Sequence, residues 1–250
     1  MVETADPVST RHCGKHARHC ATLAEDRGEV SRVTRRAYEQ ELRALKQNIL
    51  MMGSTVEEAV HLAIEALAHQ DVDLARQIIE NDKRVDDLEV SIEEQCLKLL
   101  ALQQPLAGDL RMIATAIWVI TDLERMGDHA VNISEIAVRI GKQPLIKPLV
   151  DIPRMAELAA GMIKGCLDAF VARDPDLARK TCATDDQVDR IYEELFDELM
   201  GFIVNSSDTT TSSQAANLLF VARFLERIAD HATNIGERVI YMVTGLRESY

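Results

Sequence analysis

The chain has 250 residues, 47% hydrophobic, 28% charged and only 4% aromatic, with Gly 11 and Pro 6. That is the composition of a soluble globular protein of one large or two ordinary domains, and the shortage of aromatics and turn residues excludes a β-sandwich or barrel. Asp+Glu 41 against Lys+Arg 28 gives a formal charge of −13, which argues against nucleic acid as a partner, because that binding needs a basic face.

Residues 1–33 read as a disordered extension. Within them His12, Cys13, His16, His19 and Cys20 are close enough to coordinate zinc or copper. Their spacing matches no common finger, however, and no apolar residues surround them to form a small core. The first thirty residues hold no continuous apolar segment, so no signal peptide is expected. The longest apolar run, 112–121, is about half the length needed to span a bilayer. Five cysteines, an odd number in a chain large enough to build its own core, fit a reducing cytoplasm better than a disulfide framework.

From Tyr38 onward apolar residues recur at helical spacing. The first segment covers about 38–69, interrupted only at Gly53-Ser54. A second, opened by Asp71 as N-cap, runs to about Gln104, and Pro105 separates it from a third that ends near Gly141. Pro144, Pro148 and Pro153 then mark a linker over 144–153. Beyond it the programme repeats, with helices expected over about 154–172, from Asp174-Pro175 to a polar loop at 205–213, and over about 214–245. The chain thus divides into 34–143 and 154–250, three helices each.

This is an internal duplication. Asp71-Val-Asp-Leu-Ala-Arg-Gln77 matches Asp174-Pro-Asp-Leu-Ala-Arg-Lys180 at five of seven positions. Leu123-Glu-Arg-Met-Gly-Asp-His-Ala-Val-Asn-Ile-Ser-Glu135 matches Leu225-Glu-Arg-Ile-Ala-Asp-His-Ala-Thr-Asn-Ile-Gly-Glu237 at nine of thirteen, and the two offsets, 103 and 102, differ by one. The fold class that follows is all-α, two tandem three-helix bundles with short connections.

The repeat also organises the acids. Asp82 and Asp86 correspond to Asp185 and Asp189, and Glu124 and Asp128 to Glu226 and Asp230, every pair one turn apart on one helix face. Glu124 and Asp128 continue the stripe of Leu110, Ile113, Ile117 and Ile120, which draws them away from the most exposed side. Like charges at this spacing repel, so two such pairs on neighbouring helices call for bound cations or basic side chains. Carboxylate oxygens suit iron, manganese, magnesium or calcium, with zinc also acceptable, and bridge pairs of ions. Asn132, Glu135, Asn234 and Glu237 extend the same faces as secondary ligands. Arg125 and Arg227 are the candidates for neutralising the acids without metal. His129 and His231 read as packed or hydrogen-bonded side chains rather than ligands.

Catalysis finds no support. Glu58 and His61 form the single Glu-x-x-His pair, with no counterpart in the other half, whereas ferritin-like di-iron sites need two. No phosphate-binding Gly-rich loop occurs, and Cys96, Cys166 and Cys182 sit in apolar helical contexts as structural residues. A carboxylate-bridged metal enzyme and a metal-free helical scaffold remain as rivals to a non-catalytic metal-binding protein.

On these motifs, together with Gln104-Pro-Leu-Ala-Gly-Asp-Leu-Arg111 and the opening Thr34-Arg-Arg-Ala-Tyr-Glu-Gln-Glu-Leu42, the sequence resembles the PhoU family of bacterial phosphate-transport regulators over about 34–246. The likeness of residues 34–42 to the family's usual start raises the expectation that translation begins near Val33. The second half departs from the pattern at 205–213, where the contact made by Asp109 and Arg111 has no counterpart. The resemblance implies two three-helix bundles related by pseudo-twofold symmetry and multinuclear iron or zinc clusters on the Glu/Asp-x-x-x-Asp motifs. It also implies a cytoplasmic adaptor, commonly a homodimer, that restrains phosphate uptake and signalling. Its implied partners are the ATPase of the phosphate ABC transporter and a phosphate-sensing histidine kinase.

Overall fold

Helical spacing of apolar side chains is realised as helix throughout a computed structural model that describes residues 13–103 and 105–250, with side chains described for 35–102 and 105–250. The described elements are α1 (Cys13–His69), α2 (Val72–Asn81), α3 (Lys83–Gln103), α4 (Ala107–Ile140), α5 (Asp151–Ala172), α6 (Pro175–Cys182), α7 (Asp185–Asn205) and α8 (Thr209–Thr244), and no strand occurs among the described residues. The fold is all-α, as the sequence indicates. The side chains of His12, Cys13, His16, His19 and Cys20 lie outside the described residues. No helix among the described residues is long and apolar enough to cross a membrane.

α1 begins at Cys13, where the sequence suggests a start near Tyr38 after a disordered extension. Several other boundaries also differ from expectation, each for a local reason. Gly53 does not interrupt α1: the helix continues, and a Cβ at that position would lie 2.0 Å from Leu167 Cδ1. The glycine therefore permits close approach of α5 instead of breaking the helix. The second segment of each half is split, α2 from α3 at Asp82 and α6 from α7 at Ala183-Thr184, with no Gly or Pro to announce the break. Pro153, read as linker, lies in the first turn of α5, where a missing N–H costs nothing. The loop at 205–213 shrinks to three residues because Asp208 caps α8, its carboxylate accepting from the N–H groups of Thr210 and Thr211.

Residues Leu45–Tyr250 make one compact unit that contains both copies of the repeat. The residues up to Ala44 cluster separately, and there Arg35 Nε donates to Glu39 Oε1 at 3.3 Å one turn along α1. Within the larger unit, α4 and α8 pack along each other; α2 and α3 pack on α4, and α5, α6 and α7 on α8. From Leu45 on, α1 buries Ile49, Met52, Val56, Val60, Ala63 and Leu67, one side chain every third or fourth residue. Its flanks are pinned by polar contacts: Lys46 Nζ donates to the Val171 carbonyl at 2.9 Å and Asn48 Nδ2 to Gln95 Oε1 at 3.0 Å.

Because α4 is covered by other helices on several sides, it buries far more than a single stripe. Ile113 and Ile120 are fully inside, Ile117 is half-buried, and Leu110 is exposed. Cys96, Cys166 and Cys182 are buried free thiols, and burial pushes the Cys96 thiol up to about 12.

Candidate metal centre

In the first half the break after α2 places Asp82 at a turn, half-buried, its carbonyl accepting from the Val85 N–H at 2.7 Å. Removal from water raises its carboxyl from 3.8 to about 6, helped by the negative charges of Asp86 and then Asp128. Glu124 is also raised, first by burial and then by Asp128. Asp82 and Asp86 of α3's start thus share one electrostatic neighbourhood with Glu124 and Asp128 of α4. Arg125 lies in the same neighbourhood, 3.4 Å from Glu124 Oε2 and 3.5 Å from Asp128 Oδ2. Gly127 lets α3 come close: a Cβ there would lie 3.3 Å from Val85 and 3.5 Å from Asp82 Oδ1.

The second half repeats the arrangement with different neighbours. Burial, then Asp189 and Asp230, raise Asp185 from 3.8 to about 6. Asp189 and Glu226 are both raised as well, again mainly by burial and then by Asp230. The cation here is Arg223, paired with Glu226, and its guanidinium carbon also stands 5.9 Å from the Tyr192 ring centre. Asp185 Oδ1 and Glu226 Oε2 are buried oxygens without a hydrogen-bond partner.

Buried carboxylate oxygens with no donor are what a hard cation satisfies, so the donor set of the second half fits a metal ion in chemistry. The fit is one of residue type and charge. Among the described residues no three His, Cys, Asp or Glu side chains converge closely enough to cage an ion as they stand.

Glu89 belongs to the first-half set although the sequence reading passes over it. Its carboxyl is raised by burial, and Thr121 Oγ1 donates to it at 3.4 Å. Its repeat partner is Tyr192, so an alignment of the two halves hides it. Glu58 and His61 are exposed on α1. Asn132 is half-buried and Glu135 exposed. Asn234 and Glu237 lie further along α8, on the wall of a separate concavity.

The two histidines of the repeat meet one another, with ring centres 5.8 Å apart. His231 Nδ1 bonds Asp122 Oδ1 at 2.9 Å across the α4–α8 interface. His129 instead stacks on Phe224 at 5.5 Å, and neither of its ring nitrogens has a partner. Burial, then the charge of Arg227, holds its pKa down at about 4. Both are therefore packed or hydrogen-bonded residues, as expected.

Comparison with known proteins decides the family. The PhoU domain family matches twice, over residues 49–137 and 152–239. The chain belongs to the PhoU family. Relatives described as phosphate-specific transport system accessory protein PhoU homologues include one from Clostridium acetobutylicum, 40% identical over 214 residues, 85% of this chain and 97% of the relative. Another, from Aquifex aeolicus, is 43% identical over 206 residues, 82% of this chain and 92% of the relative. The crystal structure of PhoU from Pseudomonas aeruginosa superposes with a TM-score of 0.79 at 35% identity, covering 84% of this chain and 100% of that one. The PhoU regulatory protein of Streptococcus pneumoniae gives 0.79 at 30% identity, with 85% and 100% covered. The duplication read from two short motifs is thus the family's domain occurring twice, and each occurrence contains one carboxylate set.

Proposed function

We propose that this protein is an accessory regulator of phosphate-specific transport that acts by contact with other proteins and not by catalysis. The observation that carries this reading is the double match to the PhoU domain, with relatives described as transport-system accessory proteins that align along nearly their whole length. Its partners are the cytoplasmic ATPase of the phosphate ABC transporter and the phosphate-sensing histidine kinase; it works as a homodimer in the cytoplasm and lowers uptake and signalling when phosphate is plentiful.

Asp82, Asp86, Glu124 and Asp128 would hold one metal centre and Asp185, Asp189, Glu226 and Asp230 the other, with iron or zinc as first candidates and manganese or magnesium next. A bound cation supplies positive charge to an acidic face. The chain's own part is to place half-buried carboxylates on two adjoining helices, where loss of water keeps them poorly neutralised until a cation or proton arrives. Reorientation of the exposed Asp86, Asp189 and Asp230 side chains would close the two sets.

A metal-free scaffold is the second reading, favoured in the first half by Arg125 lying beside both Glu124 and Asp128. Affinity capture of the tagged full chain from cells grown at high and at low phosphate tests the regulator reading. Recovery of the transporter ATPase or the kinase supports it; recovery of neither under both conditions contradicts it. Melting with and without EDTA separates the metal-bound protein, which loses melting temperature, from the scaffold, which does not.

A further inference from the structure

A cavity of about 360 Å³ lies away from both carboxylate sets, between the start of α4, the far end of α8 and the last residues of the chain. In a chain of net charge −13 its wall carries three guanidinium groups, Arg111, Arg238 and Arg247, beside two aromatic rings, Trp118 and Tyr241. The two carboxylates on the same wall are already engaged. Glu248 accepts from Arg179 through both oxygens, at 2.9 and 2.6 Å, and Glu237 Oε1 accepts from the Tyr250 N–H at 2.9 Å. Glu248 is answered by Arg179, while Glu237, whose hydrogen bond comes from a neutral amide, keeps its charge; the three guanidiniums of the wall still outnumber that one carboxylate.

Each arginine is held by its stem or its face. Arg111 Nε donates to the Met242 carbonyl at 3.0 Å, which fixes that guanidinium by one edge. Arg238 stacks 4.2 Å from the Trp118 ring centre and stands 3.9 Å from Asp122 Oδ2, while its buried Nε makes no hydrogen bond. Arg247 lies 5.8 Å from the Tyr241 ring centre. Trp118 is nonetheless 54% exposed. A single arginine over a surface tryptophan is an ordinary stabilising contact worth about 0.5–1 kcal/mol. Three arginines gathered on one wall repel each other, and neither Arg111 nor Arg247 has a carboxylate partner among the described residues.

The scaffold does not require them either. Ser213 stands at the repeat position of Arg111, Ile136 at that of Arg238 and Phe220 at that of Trp118. The same helices form in both halves, so the basic, aromatic wall, built from α4 of the first half and α8 of the second, has no repeat-related copy. A preorganised fork of N–H donors matches phosphate, and an exposed indole face matches a planar base. The volume lies in the range of small-ligand pockets.

We propose that this cavity binds a nucleotide, its phosphates on Arg111, Arg238 and Arg247 and its base against Trp118.

Trp118 is the only tryptophan of the chain, so its emission reports on the site directly. The full-length protein is titrated with ADP, with adenosine and with tripolyphosphate, following tryptophan fluorescence and checking heats by calorimetry. The expected result is a saturable response to ADP, with adenosine and tripolyphosphate each weaker by about tenfold or more, since each lacks one half of the recognition. Arg238→Gln and Arg247→Ala should each weaken ADP by about tenfold, the loss of one charge-assisted contact. Arg247 is the safer variant, because among the described residues its side chain is held only by the Tyr241 ring, and an unchanged melting temperature certifies its fold. No saturable response to ADP by either readout, or an affinity unaltered in both variants, overturns the proposal. Tripolyphosphate binding as tightly as ADP overturns the assignment of a nucleotide.

Discussion

The two halves share one backbone plan and satisfy their buried polar groups in different ways. At the α4–α8 interface the repeat partners of Asp122 and His231 are Phe224 and His129. One pair is a hydrogen-bonded carboxylate and imidazole; the other is a ring stacked on a ring. The cations change too: Arg125 lies beside Glu124 and Asp128 in the first half, and Arg223 pairs with Glu226 in the second. At the repeat positions, the first half has Thr121 donating to Glu89 where the second has Arg223 beside Tyr192. Duplication thus preserved the eight carboxylates while their surroundings diverged, and the orphaned oxygens of Asp185 and Glu226 belong to the second half. A shared feature kept amid changed neighbours is one that helix packing alone does not explain.

Exchanging residues between the halves breaks this comparison most strongly at Gly236. The first half has Ser134 there, donating to the Ala130 carbonyl at 2.9 Å. A Cβ on Gly236 would stand 2.3 Å from Cys182 Sγ and 3.3 Å from Cys166 Sγ. Gly236→Ser is expected to destabilise by about 1–3 kcal/mol through overpacking, against about 0.5–1 kcal/mol for Ser134→Gly, measured by denaturant unfolding. Equal costs would show that the second half is no tighter than the first.

Next in size is the interface pair. Asp122→Ala leaves His231 Nδ1 unpartnered and Arg238 without its carboxylate, so unfolding measurements should find a loss of about 1–3 kcal/mol. His129→Phe removes an imidazole whose nitrogens have no partner, and should be neutral or stabilising at neutral pH. A larger cost for His129→Phe than for Asp122→Ala would reverse the assignment.

Acidity sharpens the comparison with smaller effects of opposite sign. Asp82 and Asp185 rise from 3.8 to about 6 on folding, so the folded state holds their protons more tightly. Their contribution is fully present below 3.8 and is lost as pH rises through about 6. His129 falls from 6.5 to about 4; its contribution is present above 6.5 and is lost as pH falls through about 4. In chelator-treated protein, Asp82→Asn with Asp185→Asn should raise the melting temperature at pH 7 and flatten the decline on going from pH 4 to 6. His129→Phe should flatten only the acid limb. Melting across a pH series checks both, and a profile unchanged in either variant contradicts the corresponding shift.

Helix content, duplication and the eight carboxylates were legible in the sequence because each rests on local spacing or on repeat matching. The breaks at Asp82 and Thr184 were not, since neither contains Gly or Pro and both are settled by packing on α4 and α8. Gly53 misleads in the opposite sense: its signal is that of a breaker, and its role is close contact with Leu167. The partner of Glu226 is Arg223 and not Arg227; in the first half Thr121 stands at the repeat position of Arg223, and there the adjoining Arg125 lies beside Glu124 instead. Asp122 with His231, and the basic cavity, join residues more than a hundred positions apart, which no local pattern records.

Metal content per chain tests most directly whether the two repeated carboxylate sets hold cations. Protein purified without chelators is compared by elemental analysis with Asp128→Ala, Asp230→Ala and the double variant. The account predicts bound metal in the parent chain, a partial loss in each single variant and the greatest loss in the double variant. A parent chain free of metal, or a metal content unchanged in the double variant, would contradict it.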